Sequence, residues 1–470
     1  MLGLFDIAIL AAASMGPAYS LAATMGPMVA AAGDHATLAL GLLAAIMLCI
    51  AIAFARLSAR WPNAGSSFTW IGAAFGPFAG AYGAWLLLLS NYFATMATAL
   101  PAGIYTLDLI APSRAQSPLW DAIVGVIWIV VSSLLLAGGL RPTAFATALF
   151  LFAEFAVIAA TVVAALVIHP APESVALPPG LAVPGWSGLL PAMVLGIWMT
   201  DGWEVSASAS EESTGSGETP GRGGIVGLVA TVVILLAAMA AYLHVGSVAG
   251  FAAHQTDALA YVGDRLGGGW WRIAIVATVL VSTAATLWTT LLYLSRSVFA
   301  MGRDGVLPLT LGRLDTRGLP VNALFAVSFF VSLFTLLTGL WPTAAGALTL
   351  ILDGTSVFLG LLFVASACAA VRMLTALSGK GGLAASALPA LGAVALLAVI
   401  GYTVFASDPA TRGIELGGLV LGIPFMLWRG RGSALEREES LARQAGGLAK
   451  ATAPVGCAPG EKVVPPLQDE

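Results

Sequence analysis

Charge is scarce in this sequence. Only 9% of its 470 residues are Asp, Glu, Lys or Arg, against about 25% in ordinary soluble domains. That shortage excludes a water-soluble enzyme. No run of basic residues occurs, so the electrostatic footprint of a nucleic-acid binder is missing. The cysteines Cys49, Cys368 and Cys457 stand far apart, giving neither a disulfide framework nor a thiolate metal site. The histidines His35, His169, His244 and His254 are scattered near the ends of apolar runs, which leaves zinc and haem without a ligand set. No cofactor and no bound metal are expected. The opening Met1–Asp6 lacks the basic start and cleavage site of a secretory signal, so the first apolar run is expected to remain in the mature chain.

What the chain does have is hydrophobic residues, 59% of the total, arranged in long runs between short polar joints. Runs of about 18 or more apolar residues match a hydrocarbon core of roughly 30 Å. Each must be helical, because lipid offers the backbone no hydrogen-bond partner. The runs predict spans 1 to 6 at 6–31, 37–56, 76–106, 121–139, 144–168 and 188–210. Spans 7 to 12 follow at 223–248, 271–300, 321–340, 343–372, 383–406 and 412–428. With both termini inside, sixteen Lys and Arg fall in inner segments and four (Arg114, Arg265, Arg272, Arg412) in outer ones. That imbalance predicts cytoplasmic termini and a multi-pass protein of the cytoplasmic membrane. Residues 1–428 are read as one transmembrane domain. Beyond it, 429–470 is polar and proline-rich and reads as a disordered cytoplasmic tail.

Two spans carry helix-breaking chemistry. Span 1 contains Ser14-Met15-Gly16-Pro17-Ala18-Tyr19-Ser20, where Gly is permissive and Pro lacks the N–H that the preceding turn needs. Span 6 contains Thr200-Asp201-Gly202-Trp203-Glu204, with two carboxylates at mid-depth. If spans 1–5 (6–168) and 6–10 (188–372) are inverted repeats, the breaks are equivalent, and paired discontinuous helices mark a transporter's central site. Unwound backbone there offers N–H groups to a carboxylate and C=O groups to an ammonium or other cation. A single Gly-Pro kink has the bland reading of helix packing; two at matching places favour the site.

Three segments then show a resemblance. Trp61-Pro62-Asn63-Ala64-Gly65-Ser66-Ser67-Phe68-Thr69-Trp70 with Phe75-Gly76-Pro77, the loop Arg296…Met301-Gly302-Arg303-Asp304-Gly305-Val306-Leu307-Pro308 with Leu319-Pro320-Val321, and Trp203-Glu204…Glu211-Glu212…Pro220-Gly221-Arg222 are similar to signatures of the amino acid-polyamine-organocation transporters. The resemblance implies an all-α membrane protein of about twelve spans. It would have the leucine-transporter-like 5+5 inverted repeat, broken helices 1 and 6, and two further helices at 383–428. It implies a secondary active carrier of a small amino acid or amine, working by alternating access. Where amino acid carriers of the family have a Gly-Ser-Gly-like stretch, this chain has Gly16-Pro17-Ala18, which removes one N–H.

The expected substrate contacts are Ser14, Met15, Gly16, Ala18 and Tyr19 in span 1, Asn91 in span 3, and Trp198, Thr200, Asp201, Gly202 and Trp203 in span 6. Asp201 receives an ammonium or caps the second half-helix. Glu204 is read as a brace for the break. Ionisable groups in hydrocarbon cost roughly 2.5–3.5 kcal/mol on insertion scales, so each is a functional candidate. Glu154 lies where some relatives have a lysine resembling a built-in sodium substitute, and this chain has no lysine before Lys380. It is the candidate proton carrier, against a purely structural carboxyl. Asp353 is a candidate outer gate or proton site. Ser282 and Thr283 offer hydroxyls to sodium, or simply bond their own helix. Proton-coupled symport is the expectation, with exchange and sodium coupling as alternatives. The partners are a small molecule and the bilayer, not nucleic acid. A membrane aspartyl protease built on Asp201 and Asp353 is the rival from another class, but the flanking Thr200 and Leu352 lack its motifs. A channel would need a repeated filter or a ring of charge, neither of which is present.

Overall fold

The computed structural model describes residues 3–429 apart from 64, 140–143, 172, 174, 179–182, 209, 211–212, 214–216 and 379. Glu211, Glu212 and, Arg429 excepted, the expected tail lie outside the described residues. Among those described, all regular structure is helical and no β-strand occurs. Ten segments are long and apolar enough to cross a membrane.

The first such segment, Leu4–Arg60, has 57 residues, about 85 Å if continuous and far more than one bilayer. It is divided into α1 (Leu4–Met15), α2 (Pro17–Ala32) and α3 (Ala36–Arg60). Next come α4 (Ser67–Phe75), α5 (Pro77–Ile110), α6 (Pro118–Ala137) and α7 (Ala144–Val167). The sixth predicted span is two pieces, α8 (Leu189–Met199) and α9 (Val205–Ser208). α10 (Thr219–Val245) is followed by the short α11 (Val248–Ala253) and α12 (Ala258–Arg265). The described residues continue through α13 (Trp270–Arg303), α14 (Val321–Thr338), α15 (Ala344–Ser378), α16 (Lys380–Ala406) and α17 (Pro409–Arg429). α3, α13 and α15 run beyond the predicted ends at 56, 300 and 372. Length alone allows this, because a helix tilted in the bilayer accommodates extra turns.

Two groups of helices stand out, α1 and α2 with α3, α8 and α10, and α5, α6, α13 and α14 with one another, and they meet where α1 and α2 also pack against α13. α7 touches both sets through α1, α10 and α13. The segment Trp61–Pro77 folds around α4, whose Trp70 donates its indole N–H to Trp61 O at 2.9 Å and stacks edge-on against Phe54.

α11 and α12 close one end of the bundle over α2. Arg272 there pairs with Asp108 at 2.6 Å and with Asp264, tying α5, α12 and α13 together. Tyr261 Oη donates to Glu173 at 2.6 Å, and the His254 ring stacks on the Tyr261 ring. The hydrogen bond to Asp257 raises the His254 pKa above the ordinary imidazole value. Short elements of this kind escape a search for long apolar runs.

Candidate functional site

At the first break Gly16 takes a left-handed conformation, φ 52° and ψ 70°, ending α1 as C-terminal glycines commonly do. Pro17 is then the first residue of α2, where its missing N–H is no loss. The Gly-Pro pair therefore separates two helices rather than kinking one. A Cβ on Gly16 would lie 2.3 Å from Thr286 Oγ1 and from the Tyr19 ring, so nothing but glycine fits.

At the second break α8 stops at Met199, Thr200 to Glu204 form a turn, and Gly202 has φ 110°. A Cβ on Gly202 would fall 2.6 Å from Ser14 O and 2.9 Å from Met15 N. The two interrupted helices thus touch backbone to backbone, as paired breaks in a central site require.

A cavity of about 30 Å3 opens between them. This is room for about a water or two. Ser14 and Tyr19 line it from the first break, and Asp201, Gly202 and Glu204 from the second. Asn91, Ala94 and Thr98 of α5 form one wall, at helical spacing on one face. Thr286, Thr289, Thr290 and Tyr293 of α13 form the other. Thr98, Tyr293 and the threonines of α13 were missed in the sequence. Their signal is the ridge Ser282, Thr286, Thr289, Tyr293, stepping four, three and four residues along one helix face.

Two acidic groups brace this centre. Glu154, 6% exposed, reaches from α7 to the first break, where its Oε1 accepts the Ala18 N–H at 2.5 Å and the Ser282 hydroxyl at 2.7 Å. One carboxyl thereby joins α2, α7 and α13. Glu204 Oε2 accepts the Gly202 N–H at 3.0 Å, bracing the second break. Asp201 Oδ1 and Ser14 Oγ are buried without a partner.

The remaining expected residues fall around this core. Met15 is 1% exposed and packs in the interior. Tyr19 Oη accepts from Thr98 at 3.2 Å, and its ring meets Trp198 edge-on at 5.1 Å. Trp198 therefore supports the cavity wall from behind. Trp203 turns the other way, against Phe54 and Phe363, and does not line the cavity. Thr200 donates to its own helix at Gly196 O, 2.9 Å, as Thr283 does to Val279 O at 2.6 Å, leaving Ser282 as the hydroxyl that reaches across. Asp353 is elsewhere: it lines a second cavity of about 390 Å3 with Pro27, Leu195, Gln255, Tyr402 and Ser407, beside α11. Among the described residues no group of three His, Cys, Asp or Glu is placed to hold a metal ion.

Known proteins share this architecture. A family profile described as amino acid permease matches residues 2–413. The branched-chain amino acid permease BcaP of Lactococcus lactis subsp. cremoris is 27% identical over 303 residues, 59% of this chain and 63% of that permease; the match thus spans less than two thirds of that relative. An uncharacterized transporter of Mycobacterium tuberculosis is 28% identical over 320 residues, 67% of this chain and 69% of that protein. Among solved structures, the Eremococcus coleocola manganese transporter, crystallised with an aromatic bis-isothiourea compound, superposes with a TM-score of 0.55. It covers 92% of this chain and 95% of that one at 14% identity, a likeness of fold alone.

Proposed function

Because this chain belongs to the amino acid permease family, and is therefore a multi-pass membrane transporter of a small molecule, we propose that it carries a small amino acid or amine by alternating access, driven by protons that bind Glu154. The relatives are permeases and transporters, which closes the membrane-enzyme alternative. Counting Leu4–Arg60 as two passes and the interrupted α8–α9 helix as one raises the ten spans to twelve. The two packing sets, α1–α3 with α8–α10 and α5–α6 with α13–α14, are what a 5+5 inverted repeat would give. In this reading both termini are cytoplasmic and the membrane is the cytoplasmic one. α11 and α12 then face outward, as does the cavity beside Asp353, which suits an outer gate.

The observation that carries the coupling is the Glu154 bridge. A carboxylate accepting an N–H makes a bond about twice as strong as a neutral acceptor does. When charged, Glu154 holds the first break against α7 and α13; a proton on it loosens that hold, and helix 1 is free to move. Ser282 donates its hydroxyl hydrogen to Glu154, so protonation of that carboxyl also disturbs the link to α13.

The test is uptake by proteoliposomes with equal salt on both sides and the membrane potential held at zero, under a pH step of one unit, acid outside. One unit is worth about 1.4 kcal/mol, or tenfold accumulation for one proton per substrate. We expect accumulation of a labelled amino acid or amine on the pH step and none on a sodium gradient at equal pH. Uptake driven by sodium and indifferent to pH would remove the role of Glu154.

A further inference from the structure

The hydrogen-bond accounting at the two breaks narrows the substrate, provided that the central cavity is the transport site proposed above. A substrate carboxylate is held most strongly by backbone N–H groups or a basic side chain. At the first break Pro17 has no N–H, Ala18 N donates to Glu154, Tyr19 N to Ser282 Oγ at 3.3 Å and Ser20 N to Gly16 O at 2.8 Å. At the second, Asp201 N donates to Trp198 O at 3.0 Å and Gly202 N to Glu204, while among the described residues the Trp203 and Glu204 N–H groups make no main-chain hydrogen bond. No Lys, Arg or His is among the residues that line the cavity.

What faces the cavity is of the opposite character. Asp201 and Glu204 both line it. Asp201 Oδ1 is buried without a partner, as is the Ser14 hydroxyl, although the Asp201 carboxyl as a whole also meets that of Glu204. Tyr19 and Tyr293 also line it, and an aromatic ring can attract a cation. A buried acceptor with no donor is unfavourable unless something supplies one, and an ammonium supplies three.

We infer that this transporter takes an amine lacking a carboxylate, its ammonium bound by Asp201 and Ser14 beside Tyr19 and Tyr293, and that amino acids are rejected because their acid group would meet Asp201 and Glu204 with no basic side chain to offset the charge. The same accounting gives the two acids different work. Asp201 holds the cargo and Glu154 the proton.

The experiment compares amines with their parent amino acids on the purified full-length protein. The pairs are 3-methylbutylamine with leucine, putrescine with ornithine, and tyramine with tyrosine, read by thermal shift and by uptake into proteoliposomes. A ligand of the folded state stabilises it by mass action. At least one amine should give a saturable shift at a concentration tenfold or more below that of its parent, and Asp201→Asn should raise that concentration at least tenfold. The wild-type comparison stands even if the variant does not fold. Amino acids binding as well as or better than amines would overturn the inference, and so would stabilisation by sodium or potassium chloride alone. Proton-driven uptake of an amino acid with no response to any amine would overturn this inference and leave the transport reading intact. No binding and no uptake in either series would sink both.

Discussion

Replacing Glu154 with glutamine should leave the protein folded and abolish accumulation against a gradient. Glutamine keeps the carbonyl oxygen that receives the Ala18 N–H and the Ser282 hydroxyl, so the junction of α2, α7 and α13 retains its acceptor. What it loses is the ability to take up and release a proton. With a one-unit pH step, the wild type should concentrate substrate about tenfold, whereas E154Q should only equilibrate it. Exchange of internal for external substrate, which needs no net proton movement, should continue. Binding by thermal shift should change little, since Glu154 does not line the cavity. A variant that still concentrates substrate on a pH step would show that the carboxyl is structural. The Ala18 contact would then be a brace like the one Glu204 makes to Gly202.

The second large effect is expected at Gly202. Its φ of 110° belongs to a region that side chains rarely adopt, and its missing Cβ is what lets Ser14 O and Met15 N approach. Strained backbone of this kind is worth about 1–3 kcal/mol, and here a collision with main-chain atoms is added. G202A should therefore lose at least about 2 kcal/mol of stability. Its initial uptake rate should fall by about tenfold or more, as happens when a binding constellation is displaced by a fraction of an ångström. Gly413 supplies the control: it lies in α17 with nothing within 4 Å of a Cβ and no left-handed φ, so G413A should be neutral or slightly stabilising. Comparing the temperatures of half-inactivation separates the two. If G202A behaved like G413A, the contact between the breaks would not exist.

Much of this centre is legible in the sequence, for reasons specific to each residue. Gly16-Pro17 and Asp201-Gly202 announce interruptions because proline cannot donate, and because glycine alone reaches φ near 110° without strain. Glu154 stands out because a lone carboxyl in an apolar helix is costly. The family signatures at Trp61–Pro77 and Arg296–Pro308 placed the chain among known carriers, and the match over residues 2–413 agrees.

Other features were hidden. The hydroxyl ridge on α13 looks like ordinary Ser and Thr bonding to their own helix, and Thr283 does just that. Whether a tryptophan faces the cavity or the scaffold depends on helix rotation, which sequence does not report: Trp203 turns toward Phe54 and Phe363. The same ignorance of rotation concealed that Asp353 faces a cavity of its own beside α11. Helices α4, α11 and α12 are too short to stand out as apolar runs.

The whole account depends on α1–α2 and α8–α9 being separate half-helices that meet, with Glu154 fastened to the first. A density map of the protein in lipid nanodiscs tests that directly. It should show the chain leaving helical geometry at residues 15–17 and 200–204, with Gly202 against Ser14 and the Glu154 carboxyl on the Ala18 N–H. Continuous, fully hydrogen-bonded helices through both stretches, with no space between them, would contradict it.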